Sequence, residues 1–295
     1  MNHQEQTVRE EQRTERGQKK FAYYRHNIPY DYPERSDEHM ITVKKIRETH
    51  FDENYEYLEK GAWFWIKRAV LLAGLYVIVF PLLSLTHGLR IYGRKNLRMH
   101  KEELKEGAIT VSNHVFMWDY LCVLRAIRPH MPAFPAWKTN FEGSNGPLIR
   151  WVGGVPIPDD SVRAMMKFQR AMNEVLESRR WLHVYPEGSL WFYYPDIRPL
   201  KKAVFQYAVK FDRPVVPITM SFRERRGIWK LLGRKPLVDL HVGEPLSPDK
   251  SLPRREAEEK LQRETYHIMQ VMNGIYPGDP TYNEDQNIQR YKKTM

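Results

Sequence analysis

The chain has 295 residues, of which 42% are hydrophobic and 28% are charged, enough for one large α/β domain with extensions or for two small domains. This composition excludes a wholly disordered protein and a polytopic membrane protein. The formal net charge of +11 is consistent with an anionic partner such as nucleic acid, lipid or a polyanionic cofactor, and a solvated basic surface is the alternative. The single cysteine, Cys122, excludes an internal disulfide framework and a multi-cysteine zinc site.

The N-terminal part of the chain is polar and contributes little to the predicted core. Residues 1–20 are poor in apolar side chains, and residues 21–35 are rich in Tyr and Pro, so residues 1–35 are interpreted as a disordered polar extension. Residues 36–60 favour a helix, because Ser36 can cap it and acidic residues follow. Residues 36–87 are therefore predicted to form a helical, membrane-associating segment.

The most apolar stretch runs from Ala69 to Thr86 and carries no charge over 18 residues. At ~1.5 Å per residue it is roughly 27 Å long, just short of a bilayer core of about 30 Å, and Pro81 within it predicts a kink. A spanning helix, a re-entrant or interfacial anchor and a buried helix of a soluble protein remain alternatives. Aromatic and basic flanks favour the membrane: Trp63, Trp65, Lys67, Arg68, Arg90 and Arg94.

Residues 88–279 alternate short apolar runs with longer amphipathic stretches. Strands are predicted at 108–112, 154–157, 181–185, 214–220 and 237–242. Helices are predicted at 118–128, 146–152, 161–179, 199–211 and 253–273. This alternation predicts an α/β fold with a mixed, mostly parallel sheet flanked by helices, preceded by the hydrophobic anchor. Residues 280–295 are polar and are interpreted as a flexible tail.

A polar turn with a histidine and an aspartate follows the first of these strands. His114 and Asp119 are five positions apart, which on a continuous helix would separate them by about 140°. They can meet if His114 lies in the turn and Asp119 in the first helical turn. The carboxylate would then fix the imidazole tautomer and leave the other ring nitrogen as a base. An Asp that caps a helix beside an unrelated His is the alternative.

A second polar turn, Tyr185-Pro186-Glu187-Gly188-Ser189, follows the strand at 181–185. It places a carboxylate and backbone N–H groups at the carboxyl edge of the sheet, where α/β proteins bind ligands. A plain turn is the alternative for this motif alone.

The two turns together resemble the glycerolipid acyltransferase family, whose type member is 1-acyl-glycerol-3-phosphate (lysophosphatidate) acyltransferase. The ordered pattern is Asn-His-x4-Asp, then a Gly-Val strand, Pro-Glu-Gly-Ser and Pro-Val-Val-Pro, and it covers residues 89–247 with an opening strand at 92–97. The resemblance implies that His114 is the general base and that Asp119 orients it. It also implies that Glu187 and Gly188 help to bind the acceptor and that Pro217 lies on the donor side. Ser189, Arg150 and Lys201 are further acceptor-binding candidates, and Lys138 is a donor-side candidate.

Two positions depart from the family pattern. The family carries arginines that hold the acceptor phosphate where this chain has Asp159 and Leu190. Loss of two guanidinium groups removes the best phosphate ligands, so either nearby cations replace them or the acceptor is not a lysophosphatidate. Arg150, Arg163, Lys138, Lys201 and Lys202 are the candidate replacements.

The sequence thus predicts a membrane-associated acyltransferase with its catalytic domain on the cytoplasmic side. It would move a fatty acyl group from acyl-CoA or acyl-carrier protein, as donor substrate, to a hydroxyl of a lysophospholipid of the 1-acyl-glycerol-3-phosphate type in phospholipid biosynthesis. The alternatives are the same chemistry on a non-phosphate lyso-lipid and a catalytically silent membrane scaffold. Membrane lipids are the expected partners. No nucleic-acid motif accompanies the basic residues, and no bound cofactor, metal or nucleic acid is expected.

Overall fold

The computed structural model describes residues 21–36 and 38–284. A continuous helix over Ala62–His87 comprises α1 (Ala62–Gly74), a π-helical turn (Leu75–Val79) and α2 (Phe80–His87). Pro81 lies in the first turn of α2, and the wide turn before it accommodates the missing N–H and the proline ring. Gly88, at a φ of 55°, ends the helix in the left-handed conformation that glycine adopts without strain.

The helix Ala62–His87 is two-sided. Leu72, Leu75, Phe80 and Leu83 belong to the buried core, whereas the opposite face exposes large apolar side chains, among them Trp63, Val70, Val77, Leu82 and Leu85. By length and composition this helix could cross a membrane. Because one face packs into the core, the helix is part of the same packed domain as the residues that follow it.

A five-stranded sheet forms the centre of the domain. Its strands lie in the order β1 (Arg90–Tyr92), β7 (Leu237–Val242), β6 (Val215–Arg223), β2 (Ile109–Ser112) and β5 (Leu182–Val184). The pair β6–β7 is antiparallel and the other three pairs are parallel. The predicted α/β fold with a mixed, mostly parallel sheet is confirmed.

A parallel pair, β3 (Phe134–Trp137) and β4 (Gly154–Ile157), extends this arrangement. It lies beside β5, since Ala133 donates its N–H to Trp181 O and accepts from His183 N. The carboxyl ends of β2, β3, β4 and β5 therefore share one edge, where open α/β sheets bind ligands.

Helices cover both faces of the sheet. In chain order they are α3 (Arg94–Met99), α4 (Lys101–Leu104), α5 (Asp119–Ile127), α6 (Thr139–Glu142), α7 (Gly146–Trp151), α8 (Val162–Glu177), α9 (Ala203–Phe211) and α10 (Arg254–Met272). One core contains α5 and the buried face of the helix Ala62–His87. The second core contains α8, α9 and α10. The two cores therefore lie on opposite faces of the sheet.

The helix predicted at residues 36–60 is wrong, because the described part of this segment has no helix. Its apolar residues Ile41, Ile46 and Phe51 are spaced five apart and do not form one helical face. The segment is instead held by distant parts of the chain. Ile46 and Arg47 donate their N–H groups to Glu142 O, and the buried Phe51 packs on Phe141.

The described part of the extension predicted to be disordered, residues 21–35, makes specific contacts and is not a loose tail. Tyr23 donates to Asp196 at 2.7 Å, and Tyr32 stacks on Trp191. Residues 280–284, the described start of the tail, are also attached, since Asn283 bonds to Gln270. The other residues of the predicted extension and tail, 1–20 and 285–295, lie outside the described residues.

Candidate active site

The turn after β2 is fixed to the neighbouring strand by Asn113. Its buried side-chain amide donates to Met220 O and accepts from Met220 N, both at 2.8 Å. These two bonds replace the strand pairing that would otherwise continue along β6. The next residue, His114, therefore leaves the sheet at a defined point of its carboxyl edge.

His114 and Asp119 meet as predicted. The His114 Nδ1 to Asp119 Oδ2 distance is 2.5 Å, and the side chains are 24% and 3% exposed. The meeting is possible because His114 lies in the turn and Asp119 is the first residue of α5. The buried carboxylate holds the proton on Nδ1, so Nε2 is the ring nitrogen that can accept one.

Tyr185 completes this cluster. Its hydroxyl donates to Asp119 Oδ1 at 2.8 Å, and its ring stacks on the His114 imidazole with centroids 3.9 Å apart. The Tyr120 N–H also donates to Asp119 Oδ1, at 2.7 Å. Burial, and then the Asp119 carboxylate, raise the pKa of Tyr185 well above its ordinary value, so the phenol remains a donor. With the His114 ring, three donors thus reach the Asp119 carboxylate.

Glu187 forms a buried ion pair with Arg198. Arg198 Nη2 lies 2.8 Å from Glu187 Oε2, and the Arg198 N–H donates to Oε1 at 2.9 Å. The His114 N–H donates to the same carboxylate at 3.0 Å. Glu187 therefore positions the backbone of the predicted base.

The segment after Glu187 reinforces the motif. Trp191 N donates to His114 O and Tyr193 N donates to Val115 O, at 2.9 and 2.7 Å. The N-terminal segment covers this region from outside, because Arg198 Nη1 donates to Ser36 O at 2.6 Å and Trp191 Nε1 donates to Glu38 O at 2.9 Å. The His114 backbone is thus held on both sides.

Lys138 and Asp159, at the carboxyl ends of β3 and β4, contact each other. Lys138 Nζ forms ion pairs with Asp159 and with Asp160, the latter at 2.9 Å. Hydrogen bonds to the two carboxylates raise the pKa of Lys138. This cluster carries one cation and two anions where the family pattern places an arginine.

Arg150, a predicted acceptor-binding residue, is bonded to residues 56–59, which precede the helix Ala62–His87. Its guanidinium donates to Tyr57 O at 2.6 Å and to Glu56 O, and it lies 3.5 Å from Glu59 Oε1. These contacts attach residues 56–59 to α7. The acceptor-binding role of Arg150 stays a prediction that these contacts do not favour.

The remaining predicted residues are distributed around the carboxyl edge and the sheet. Gly188, at a φ of 92°, lies against the Lys201 side chain, so that an added Cβ would be 2.9 Å from Lys201 Nζ. Ser189 is buried and accepts from Arg198 Nη1 at 2.9 Å. Pro217 lies inside the sheet in register with Val111, and its donor-side role stays a prediction.

Two further chemically active side chains lie beneath the site. Cys122 is buried, and burial raises the pKa of its thiol, which does not suit a nucleophile. His183 is buried and bonded through Nδ1 to Thr110 Oγ1 at 2.9 Å. Burial, followed by the neighbouring His114, lowers the pKa of His183 to about 3, so its ring is neutral.

Tyr185 and Arg198 are the site residues that sequence reasoning missed. Tyr185 is the first residue of the second polar turn and ends the strand predicted at 181–185. Its predicted position at the carboxyl edge of the sheet is the sequence feature that could have identified it. Arg198 lies 11 residues after Glu187 in a segment without regular structure. No periodicity in the sequence relates these two residues.

Two comparisons with known proteins give a match. Residues 88–221 match the model of the Acyltransferase family, which confirms the resemblance found in the sequence. The crystal structure of the 1-acyl-sn-glycerophosphate (LPA) acyltransferase PlsC from Thermotoga maritima is similar over 61% of this chain and 71% of its own, with 22% identity and a TM-score of 0.40. A search of the curated proteins finds no match.

Proposed function

We propose that this protein transfers an acyl group from an activated thioester to a hydroxyl group of a lysophospholipid at a membrane surface. The observation that carries the proposal is the His114–Asp119–Tyr185 cluster at the carboxyl edge of a domain that belongs to an acyltransferase family. Acyl-CoA or acyl-carrier protein would serve as the thioester donor, since both already carry an activated acyl group.

In this mechanism His114 Nε2 takes the proton of the acceptor hydroxyl as the oxygen attacks the thioester carbonyl. Asp119 stabilises the imidazolium that forms, while Tyr185 keeps the carboxylate oriented. The tetrahedral intermediate collapses with cleavage of the C–S bond, and the thiolate leaving group receives the proton. Because the donor is activated, no covalent acyl-enzyme is required, in agreement with the burial of Cys122.

The charges at the β3–β4 edge favour an acceptor without a phosphomonoester. A phosphomonoester carries nearly two negative charges at neutral pH, and it would meet Asp159 where the family has a cation. Lys138 is the nearest opposite charge, and its ammonium group already bonds to two carboxylates. A zwitterionic or uncharged lyso-lipid is therefore the favoured acceptor, and 1-acyl-glycerol-3-phosphate is the alternative.

The helix Ala62–His87 supports a membrane location for this reaction. Its C-terminal residue His87 contacts the ring of Phe116, with centroids 5.0 Å apart, which places the end of the helix beside the His114 turn. Met117 and Trp118 of the same turn are exposed. An apolar surface next to the base suits an acceptor that remains in the lipid layer.

The test is His114→Ala in the full-length chain, with thiol release from acyl-CoA measured in the presence of a lyso-lipid. We expect activity below about 1% of wild type, because loss of a general base costs roughly 10²–10⁴-fold. His100→Ala is the matched control, since His100 also pairs with a carboxylate, Glu103, but on the surface. An active His114→Ala protein would refute the mechanism and favour a non-catalytic scaffold.

A further inference from the structure

The loop between β6 and β7, residues 224–236, is attached to the end of the apolar helix. The buried Arg225 donates to Thr86 O at 2.9 Å and to Trp229 O at 3.0 Å. Trp229 Nε1 donates to Leu85 O at 3.2 Å. The loop thus satisfies carbonyls of the last helical turn, and its position relative to the helix is fixed.

The tip of this loop exposes large apolar side chains to solvent. Ile228 is 67% and Leu231 is 86% exposed, and Leu232 is also exposed. They adjoin the exposed Leu85 of the helix, because Trp229 of the same tip bonds to the Leu85 carbonyl. Monomeric soluble proteins rarely expose a contiguous apolar surface of this kind, and such a surface marks a contact site.

Cations surround the apolar tip. The loop contains Arg225, Arg226, Lys230, Arg234 and Lys235, and its only acidic residue is Glu224. Glu224 pairs with Arg226, whereas Lys230 and Arg234 have no carboxylate within ion-pair distance among the described residues. Long basic side chains can reach headgroup phosphates while neighbouring apolar groups enter the acyl region.

We propose that residues 226–235 are a second membrane-docking element, which binds the anionic phospholipid surface of the bilayer next to the helix Ala62–His87. Apolar residues at the tip and cations at its sides fit a lipid layer with negative headgroups. The loop lies beyond residues 88–221, the part that matches the family model. The inference deepens the proposed membrane location and rests on it, but it does not depend on acyl transfer.

A single label can test insertion of the loop. The only native cysteine, Cys122, is fully buried, so Leu231→Cys in the full-length chain can be labelled selectively with an environment-sensitive fluorophore. The labelled protein would be mixed with vesicles of phosphatidylcholine that contain about 30% phosphatidylglycerol, with and without nitroxide-bearing lipid. Insertion predicts a blue-shifted emission that the nitroxide quenches.

Two label positions serve as references. Val77→Cys reports the exposed face of the apolar helix, and Val162→Cys reports α8 on the opposite face of the sheet. Quenching at 77 and 231 but not at 162 supports the proposal. Quenching at 77 alone overturns the loop inference and leaves the helix anchor intact, and quenching at neither overturns both.

The role of the cations needs a second comparison, in the Leu231→Cys background. Lys230→Gln with Arg234→Gln should weaken the response to anionic vesicles about tenfold or more and leave the response to pure phosphatidylcholine nearly unchanged. Lys210→Gln with Arg263→Gln, which neutralises two cations on the α9–α10 side, should leave both unchanged. Equal effects of the two pairs would overturn the proposal. A 231 label that responds to duplex DNA but not to vesicles would overturn it in favour of nucleic acid.

Discussion

Replacing Glu187 by Gln tests whether the buried ion pair positions the predicted base. The carboxylate accepts from His114 N, Arg198 N and Arg198 Nη2, and both side chains of the pair are almost completely buried. Gln keeps the shape but turns one accepting atom into a donor that faces another donor. It also leaves the Arg198 charge buried without a counter-ion.

The expected loss of stability follows from the burial of this ion pair. Removal of one partner of a buried ion pair costs about 3–5 kcal/mol of stability. For a domain of this size each kcal/mol lowers the melting temperature by roughly 2–4 °C, so we expect a decrease of about 10 °C. The remaining folded enzyme should also lose turnover, because a displacement of about 1 Å near a reacting group can cost 10²-fold.

Thermal denaturation and initial rates of the full-length protein in detergent would measure both effects. The control is Glu174→Gln, which removes one side of an exposed pair with Lys60 and should leave the melting temperature unchanged. Glu187→Gln with Arg198→Met should recover part of the stability, since the buried charge is gone, but not the turnover. If Glu187→Gln melts like the wild type, the ion pair does not hold the site together.

Three other predictions concern the same domain. Tyr185→Phe should keep the fold and lower kcat about tenfold, the value of a hydrogen bond to a charged group; an unchanged kcat would show that Asp119 needs no third donor. Asp159→Arg with Leu190→Arg should raise kcat/KM for lysophosphatidate relative to lysophosphatidylcholine about tenfold or more, and equal gains for both acceptors would contradict the charge argument. Burial lowers the pKa of His183 to about 3 and that of His241 to about 4. In the unfolded chain both histidines have pKa values near 6.5, so below that pH protonation favours unfolding. The free energy of unfolding therefore has its full value above pH 6.5 and decreases as the pH falls toward 4, by about 2 kcal/mol at pH 5 for His183. His183→Gln should flatten the dependence of melting temperature on pH.

The sequence correctly predicted those helices and strands whose position depends on residues close together in the chain. The strands at 154–157 and 237–242 have the predicted bounds, and α8 begins after Ser161, whose hydroxyl caps it by accepting from Ala164 N. The strand β3 was missed because its sequence, Phe-Pro-Ala-Trp, lacks the β-branched residues and the alternation that mark the predicted strands. It forms because β4 pairs with it along its whole length, in the register from the pair Phe134 and Gly154 to the pair Trp137 and Ile157.

The site shows the same limit. His114 and Asp119 are five residues apart, so a turn followed by a helix was sufficient to predict their contact. The pairing of Glu187 with Arg198 depends on the irregular segment between them, and the course of that segment is set by Trp191 and Tyr193, which pair with the His114 turn. Such contacts arise from packing between distant parts of the chain, which periodicity does not encode.

The two faces of the sheet determine from which side the proposed acceptor would approach. Alternate residues of β6 belong to different cores: Val215 to the core with α8–α10, and Val216 to the core with α5 and the apolar helix. Tyr185 packs against the latter core, so His114, which stacks on Tyr185, lies on the same side as the helix Ala62–His87. Met117 and Trp118 of the His114 turn are exposed, and the same turn contacts the end of the helix through Phe116 and His87. Under the proposed function, a lyso-lipid in a bilayer against this side of the domain would present its free hydroxyl to His114 without leaving the lipid layer.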